Sequence, residues 1–164
     1  MSSPFVAVLM GSDSDLPTMK AGCDVLKQLG ITYEVRVTSA HRTPEDTREY
    51  VKDAEQRGCA VFIAGAGMAA HLAGAVAAQT VRPVIGVPID AGPLQGFDAL
   101  LSTVQMPGGI PVASVAIGKA GAKNAGYLAA QIIGVQDDAV RAKLEEDRQQ
   151  NAESVRAKNK NLDA

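Results

Sequence analysis

Short apolar runs that alternate with helical segments are the feature that most constrains the fold of this chain. Apolar residues dominate the runs at 5–9, 31–37, 60–64, 84–87 and 112–117. The first two intervening segments have a proline near their start and a glycine after their end, as helices commonly do. Strands that alternate with helices over short connections predict a parallel sheet with helices on both faces.

The length of the chain, 164 residues and 17.0 kDa, fits a single domain. We expect an α/β core over residues 5–134 and a charged helix over residues 137–158. The charge of this helix is compatible with two interpretations. It is either a solvated helix or an arm that packs on a neighbouring subunit, and we expect the second.

The overall charge and the cysteine pattern exclude several classes of protein. A net charge of −2 offers no basic excess for nucleic acid or an anionic membrane, and no apolar run is long enough for a membrane span. The first residues do not resemble a signal peptide. Cys23 and Cys59 lie far apart and form no metal-ligand pattern with the two histidines. We therefore expect reduced thiols, no metal and a cytoplasmic location.

Residues 58–118 are unusually poor in charge. Their only charged members are Arg82, Asp90 and Asp98. One interpretation is a well-buried parallel sheet in a monomer. The other is an apolar surface covered by further copies of the chain, and we expect this homo-oligomer.

The polar segment after the first run is a candidate phosphate site. Ligands of open α/β sheets bind beyond the carboxyl ends of the strands. Gly11 permits close backbone approach there, and Ser12 and Ser14 supply hydroxyl groups. The carboxylates of Asp13 and Asp15 would repel phosphate, so Asp15 is interpreted as a helix cap or a ligand of a sugar hydroxyl. The alternative is an ordinary capped turn.

The segment after the second run combines an imidazole with a guanidinium group. Ser39, His41 and Arg42 precede a helix for which Thr43 is the predicted N-cap and Pro44 the first residue. An arginine can bind a phosphate through two parallel hydrogen bonds, and an imidazole can exchange protons near neutral pH. A purely structural histidine is the alternative.

The glycine-rich segment after the third run only partly matches a dinucleotide-binding motif. Asp90 has the right spacing from it, but Pro88 interrupts the approach and the motif does not follow the first strand. Gly67 is interpreted as allowing a flat ligand close to the backbone. His71 is either a second histidine of the site or a helix-start residue bonded to backbone.

Five motifs in order resemble the N5-carboxyaminoimidazole ribonucleotide mutase family. They are VLMGSDSD at 8–15, SAHRTP at 39–44, AGAGMAAHL at 64–72, QMPGGIPV at 105–112 and VAIGKAGA at 115–122. The resemblance implies a flavodoxin-like three-layer α/β/α sandwich with a parallel sheet and a C-terminal helical extension. It also implies a cytoplasmic homo-octamer, with active sites completed by neighbouring subunits and without metal, biotin or nucleotide cofactor.

The reaction implied by this resemblance is a step of purine (IMP) biosynthesis. N5-carboxyaminoimidazole ribonucleotide loses carbon dioxide, and carbon 4 of the ring then captures it in the closed site. His41 matches the general acid–base residue of the family. The matching substrate-binding residues are Ser12, Asp15, Ser39, Arg42, Ala66, Gly67 and Leu72. Further candidates are Gly11, Ser14, His71, Met106 and Pro107.

Two departures and two alternatives accompany the resemblance. Met68 and Ala73 stand where the family commonly has Gly and Pro, which leaves the shape of the pocket open. One alternative function is the related carboxylase that uses free carbon dioxide. Members of that class have a segment resembling S-A-H-K where this chain has S-A-H-R at 39–42, so Arg42 favours the mutase. The other is a non-catalytic nucleotide- or flavin-binding module, which would have no use for His41.

Overall fold

The computed structural model describes residues 4–160 and 162 and contains five strands and six helices within them. The strands are β1 (Phe5–Met10), β2 (Tyr33–Val37), β3 (Cys59–Gly67), β4 (Val84–Ile89) and β5 (Ala113–Ser114). The helices are α1 (Leu16–Gln28), α2 (Pro44–Gln56), α3 (Leu72–Ala77), α4 (Phe97–Val104), α5 (Gly118–Gly134) and α6 (Asp138–Asn159). This order of elements confirms the predicted alternation.

All strand pairs are parallel, and their order across the sheet is β2-β1-β3-β4-β5. This flavodoxin-like order reverses direction between β1 and β3, where the connections leave towards opposite sides. Chains of this topology form a crevice at the carboxyl ends of those two strands. The sheet therefore places the segments after β1, β2 and β3 around one point.

Helices cover both faces of the sheet and confirm the three-layer sandwich. On one face, α1 and α5 pack on residues such as Val8 and Ile63, with α6 behind α5. On the other face, α2 and α3 pack on residues such as Leu9 and Phe62, and Thr103 of α4 reaches the same face of β4. The buried aliphatic side chains of the two faces form the core, whose burial drives folding.

Small residues allow α1 and α5 to approach closely. A Cβ atom added at Gly22 would lie 2.5 Å from the carbonyl oxygen of Ala122, and one at Gly126 would lie 2.7 Å from that of Gly22. Contacts this short exclude any side chain at either glycine. The Ala-rich composition of α5 is therefore explained by its packing on α1.

The largest difference from the sequence prediction concerns the last strand. A strand was predicted over residues 112–117, but β5 spans only Ala113–Ser114 at the edge of the sheet. The alternation of apolar and polar residues over 31–37 predicts a strand with one covered face, but Val35 and Val37 of β2, on the opposite edge, are 44% and 52% exposed. An edge strand has a neighbour on one side only, and alternation of residue types does not reveal its position in the sheet.

The C-terminal helix is attached to its own subunit through its first half. Val140, Leu144 and Asp147 are buried against the rest of the chain, whereas most later residues of α6 are exposed. The carboxylate of Asp147 accepts hydrogen bonds from Gln28 and Tyr127 at 2.6 and 2.9 Å. No helix within the described residues is both long and apolar enough to span a membrane.

Candidate active site

A cleft of about 360 Å³ lies at the carboxyl edge of the sheet, where β1 and β3 diverge. Segments that follow the first four strands line it. Its lining includes the eleven candidates Gly11, Ser12, Ser14, Asp15, Ser39, His41, Arg42, Ala66, Gly67, His71 and Leu72. The fold therefore brings together residues that are up to 61 positions apart in the sequence.

A larger depression of about 600 Å³ lies elsewhere, between α5 and α6. Its polar lining includes Lys123, Asp147 and Arg148, and no histidine. Because it also lies away from the carboxyl ends of β1 and β3, its greater volume does not make it the better candidate. The smaller cleft is favoured by its position, at the point where the strand order reverses, and by the polar and titratable side chains that line it.

The segment after β1 is held by its own serines. The Ser12 hydroxyl accepts hydrogen bonds from the Ser14 amide at 3.2 Å and from the Ser14 hydroxyl at 2.8 Å. Ser12 thereby caps the 3-10 turn at Asp13–Asp15. Gly11 donates its amide to the carbonyl of Gly65 at 3.3 Å, which extends the pairing of β1 with β3 to the cleft.

Asp15 does not cap α1 through its side chain, which removes one of its two predicted roles. Its carboxyl group lines the cleft instead. Partial burial raises the pKa of Asp15 above its ordinary value, and the nearby Asp13 carboxylate raises it further, while a hydrogen bond with the backbone of Ser12 opposes them. A carboxyl group in this position can accept a hydrogen bond from a sugar hydroxyl.

The segment after β2 is organised by side chain–backbone hydrogen bonds. The hydroxyl of Ser39 accepts a hydrogen bond from the Arg42 amide at 3.1 Å. Thr43 stands at the N-cap of α2, but its hydroxyl does not cap the helix as predicted; it accepts from the Ser39 amide at 3.0 Å. Arg42 is exposed and has no ion-pair partner in the part of the chain that the structure describes.

His41 and His71 face each other across the cleft. Nε2 of His41 lies 2.7 Å from Nδ1 of His71, and the rings meet edge to face with centroids 4.9 Å apart. Two ring nitrogens at this distance share one proton, because two N–H groups pointing at each other would repel. The two histidines therefore form one hydrogen-bonded pair. His71 does not cap α3 with its side chain, so its predicted role as a second site histidine is the one compatible with this geometry.

Gly67 lines the cleft, and its predicted role in admitting a flat ligand is accompanied by a packing requirement. A Cβ atom at Gly67 would lie 2.8 Å from Cβ of Ala91 and 3.4 Å from the carbonyl oxygen of Ile89. The absence of a side chain is therefore needed for packing against the end of β4. Ala66 and Leu72 supply small and apolar lining on the same side of the cleft.

Met68 and Ala73, the two departures from the family pattern, lie in different surroundings. Met68 lines the cleft, is 54% exposed and has a left-handed backbone with φ 54°. Its Cγ and Sδ atoms lie beside Gly92, which follows β4. Ala73 is buried on α3 near Gly86 and does not line the cleft.

Met106 and Pro107 do not line this cleft. Met106 packs beside Gly74 on α3, and Pro107 is exposed. In contrast, Ala40, Ala69 and Ala91 line the cleft, although only their neighbours were singled out from the sequence. Ala91 could have been found, because it lies two residues beyond a strand whose carboxyl end faces the same crevice.

Comparisons with known proteins agree with this geometry. Residues 5–154 match the AIR carboxylase family. The chain is similar to the N5-carboxyaminoimidazole ribonucleotide mutase of Bacillus subtilis (strain 168), with 55% identity over 152 residues that cover 93% of this chain and 94% of that protein. The mutase of Saccharolobus solfataricus is 59% identical over 133 residues, which cover 81% of this chain and 83% of that protein.

Solved structures give the same result for the fold. The crystal structure of Treponema denticola PurE superposes with a TM-score of 0.89 at 30% sequence identity, and the match covers 99% of this chain and 100% of that chain. A second structure, of a substituted form of Treponema denticola PurE2, gives a TM-score of 0.91 at 29% identity with the same coverage. The similarity covers 99% of this chain and therefore includes the four segments that line the cleft.

Proposed function

The chain belongs to the AIR carboxylase family, and on this basis we propose that it is an N5-carboxyaminoimidazole ribonucleotide mutase of purine biosynthesis. The enzyme is an isomerase that moves a carboxylate from the exocyclic nitrogen of the ribonucleotide to carbon 4 of its imidazole ring. The observation that carries this proposal is a single cleft in which anion-binding groups adjoin a histidine pair and small apolar residues.

The phosphate end of the substrate is assigned to the segments after β1 and β2. Arg42 is an exposed guanidinium without an ion-pair partner among the described residues, so it is available for a bidentate contact with phosphate oxygens. Ser12 and Ser39 supply further hydroxyl groups in the lining of the cleft. Asp15 is assigned to a ribose hydroxyl, because its partly buried carboxyl group lines the cleft beside Ser12.

The proton transfers are assigned to His41, with His71 as its hydrogen-bonding partner. Cleavage of the carbamate N–C bond releases carbon dioxide, and the exocyclic nitrogen takes a proton from His41. Carbon 4 then attacks the carbon dioxide, and His41 removes the proton from carbon 4, which restores the aromatic ring. One proton is given and one is taken, so the cycle balances. Since Nε2 of His41 is engaged by His71, Nδ1 is the nitrogen that remains for exchange with the substrate.

Carbon dioxide is retained between the two steps by a wall of small residues. Ala40, Ala66, Ala69 and Leu72 line the cleft near the histidine pair. Apolar groups offer carbon dioxide no nucleophile, and a filled cleft excludes water, which would otherwise hydrate it. The enclosure also holds carbon dioxide beside carbon 4, so that the second step is effectively intramolecular.

The carboxylase that uses free carbon dioxide is the second candidate, because it is the activity in the name of the matching family. Arg42 in the S-A-H-R sequence and the high identity to proteins named as mutases favour the first candidate. The two activities differ in their source of the carboxyl group. Purified protein should therefore convert N5-carboxyaminoimidazole ribonucleotide without added bicarbonate or metal. Conversion only of aminoimidazole ribonucleotide with bicarbonate would identify the carboxylase.

We also propose a cytoplasmic homo-octamer. Phe97 and Leu101 of α4 are 60% and 45% exposed and lie within the charge-poor region, which supports burial by further copies. Met106 and Pro107 follow the same helix, and we assign them to the closure of a neighbouring subunit's cleft. The exposed second half of α6 is assigned to contact with a neighbour. A cytoplasmic location is supported by two buried free thiols, Cys23 and Cys59.

A further inference from the structure

Two buried threonine hydroxyls lie beneath the segment that carries Ser39, His41 and Arg42. Thr38, directly after β2, is 4% exposed, and Thr47, in the early part of α2, is 2% exposed. Their hydroxyl oxygens are 2.6 Å apart. Neither residue lines the cleft, so neither can contact a ligand bound there.

A continuous set of hydrogen bonds connects this pair to the cleft segment. The Thr47 hydroxyl donates to the carbonyl oxygen of Thr43 at 3.1 Å. The Thr43 hydroxyl donates to the carbonyl oxygen of Ser39 at 3.2 Å and accepts from the Ser39 amide at 3.0 Å. The Ser39 hydroxyl in turn accepts from the amide of Arg42. The connection therefore ends at the residue assigned to phosphate binding, next to His41.

Each of the two hydroxyls, of Thr38 and Thr47, has a single hydrogen. The Thr47 hydroxyl donates either to the Thr43 carbonyl oxygen or to Thr38, and in the first case Thr38 is the donor to Thr47. The amide of Thr38 is bound to the carbonyl of Met10 at 2.9 Å, which anchors it to the sheet. Removal of the Thr47 hydroxyl would leave the buried Thr38 hydroxyl with only the Thr43 hydroxyl, 3.5 Å away, in place of its 2.6 Å partner. A buried hydroxyl without a good hydrogen bond is costly.

We propose that Thr47, together with Thr38, is a positioning residue that fixes the cleft segment for phosphate binding and proton transfer. The kinetic part of this proposal rests on the proposed mutase function. Without the Thr47 hydroxyl, the Thr43 carbonyl keeps only the backbone amide of Thr47 as its donor, at 3.1 Å. We expect the backbone between Ser39 and Arg42 to gain freedom as a result. Reaction rates depend steeply on the placement of such groups, because displacements of about 1 Å can cost on the order of 100-fold.

The test compares Thr47→Val, which keeps the volume and loses the hydroxyl, with Thr47→Ser, which keeps the hydroxyl and loses a methyl group. In full-length protein, Thr47→Val should increase deuterium uptake by the peptide that covers residues 39–43. It should also lower kcat/KM for the ribonucleotide by about tenfold, with KM raised. Thr47→Ser should lower thermal stability but retain the exchange and the kinetics of the wild type.

Thr103→Val is the matched control. Thr103 is also a buried threonine, 3% exposed, but its hydroxyl donates at 2.7 Å to Ala99 within its own helix. We expect this variant to lose stability without changes in the 39–43 peptide or in KM. The proposal would be overturned if Thr47→Val had the same deuterium uptake and kinetics as the wild type. It would also be overturned if Thr103→Val changed the uptake of the 39–43 peptide and the kinetics as much as Thr47→Val does. If the variants showed the expected deuterium uptake but the wild-type protein did not convert the ribonucleotide, the proposed mutase function would be overturned instead.

Discussion

At the scale of single residues, the proposed chemistry depends on the contact between the only two histidines of the chain. They are 30 positions apart and meet because β1 and β3 are adjacent in the sheet, with β2 beside β1. The sequence predicted His41 from its neighbours Ser39 and Arg42. It could not decide the role of His71, because the distance between two loops depends on strand order and not on local spacing.

Replacement of His41 by Asn tests its assigned role. Asn retains some hydrogen bonding, but its amide cannot exchange a proton near neutral pH. We expect turnover to fall by about 10²–10⁴-fold, while ribonucleotide binding persists. Turnover, unfolding temperature and light scattering should be measured on one sample. A variant with normal assembly and near-normal turnover would exclude His41 as the proton carrier and direct attention to His71.

Replacement of Arg42 by Ala tests the phosphate assignment. Loss of a bidentate charged contact should weaken ribonucleotide binding by roughly 1.5–3 kcal/mol, measured by calorimetry. Arg48→Ala is the control, because Arg48 is exposed on α2 and has only a 3.8 Å ion pair with Glu45. The assignment would be refuted by equal affinities of the Arg42 variant and the wild type.

At the scale of elements, the sequence predicted the strands and helices well where burial follows a simple period. The runs of β1 and β4, which are buried throughout, and of β3, which is buried at six of its nine positions, were all identified. The prediction was poorer where the local conformation depends on distant contacts. The small residues after Gly67 predict a helix up to about Thr80, but the helix α3 spans only Leu72–Ala77 and the segment before it is an irregular lining of the cleft. Thr43 likewise has an ideal N-cap sequence but binds Ser39 instead.

The edge strand β2 is joined to α2 by a polar cluster whose stability should depend on pH. The Glu34 carboxylate accepts hydrogen bonds from Arg57 at 2.9 Å and from the hydroxyl of Tyr50 at 3.1 Å. The hydrogen bond from Arg57 is the main reason that the pKa of Glu34 lies below its ordinary value of 4.5. A lowered pKa in the folded state means that the stabilisation is present above 4.5 and is lost as the pH falls through the folded pKa.

We therefore expect Glu34→Gln to lower the unfolding temperature by roughly 1–4 °C at pH 7, since both partners are 40% exposed and solvent screens the pair. The difference in unfolding temperature between the wild type and Glu34→Gln should shrink as the pH falls below 4.5. Glu45→Gln is the control, because it removes a carboxylate from the first turn of the same helix and has only the weak 3.8 Å pair with Arg48 to lose. A Glu34 effect that is independent of pH would contradict the electrostatic explanation.

At the scale of the whole molecule, the distribution of charge is more informative than its sum. The three charged residues within positions 58–118 leave the surface around α4 largely apolar, with Leu94, Phe97, Leu101 and Val104 all exposed by 45–60%. Exposure of these apolar side chains to water does not stabilise a single chain. Its apolar contacts are available for association, and the nearby Met106 and Pro107 have no role in the cleft of their own subunit.

The proposed octamer predicts the effect of a charge on this surface. Wild-type protein should scatter light as a particle of about eight chains of 17.0 kDa. Phe97→Glu should yield smaller species, because a buried carboxylate without a partner is strongly disfavoured at an interface. Thr32→Glu adds the same charge at an exposed position on the opposite edge of the sheet and should leave the octamer intact. A wild-type particle of one chain would contradict the proposed assembly.

The most direct measurement for the central claim follows the carboxyl carbon. N5-carboxyaminoimidazole ribonucleotide carrying ¹³C in its carboxylate is converted in excess unlabelled bicarbonate with carbonic anhydrase, and the product is analysed by mass spectrometry. A mutase that traps carbon dioxide between the histidine pair and the alanine-lined wall should give 4-carboxy-5-aminoimidazole ribonucleotide that retains nearly all of the label. A product with the isotopic composition of the buffer would mean that free carbon dioxide is the substrate and would contradict the proposed mutase.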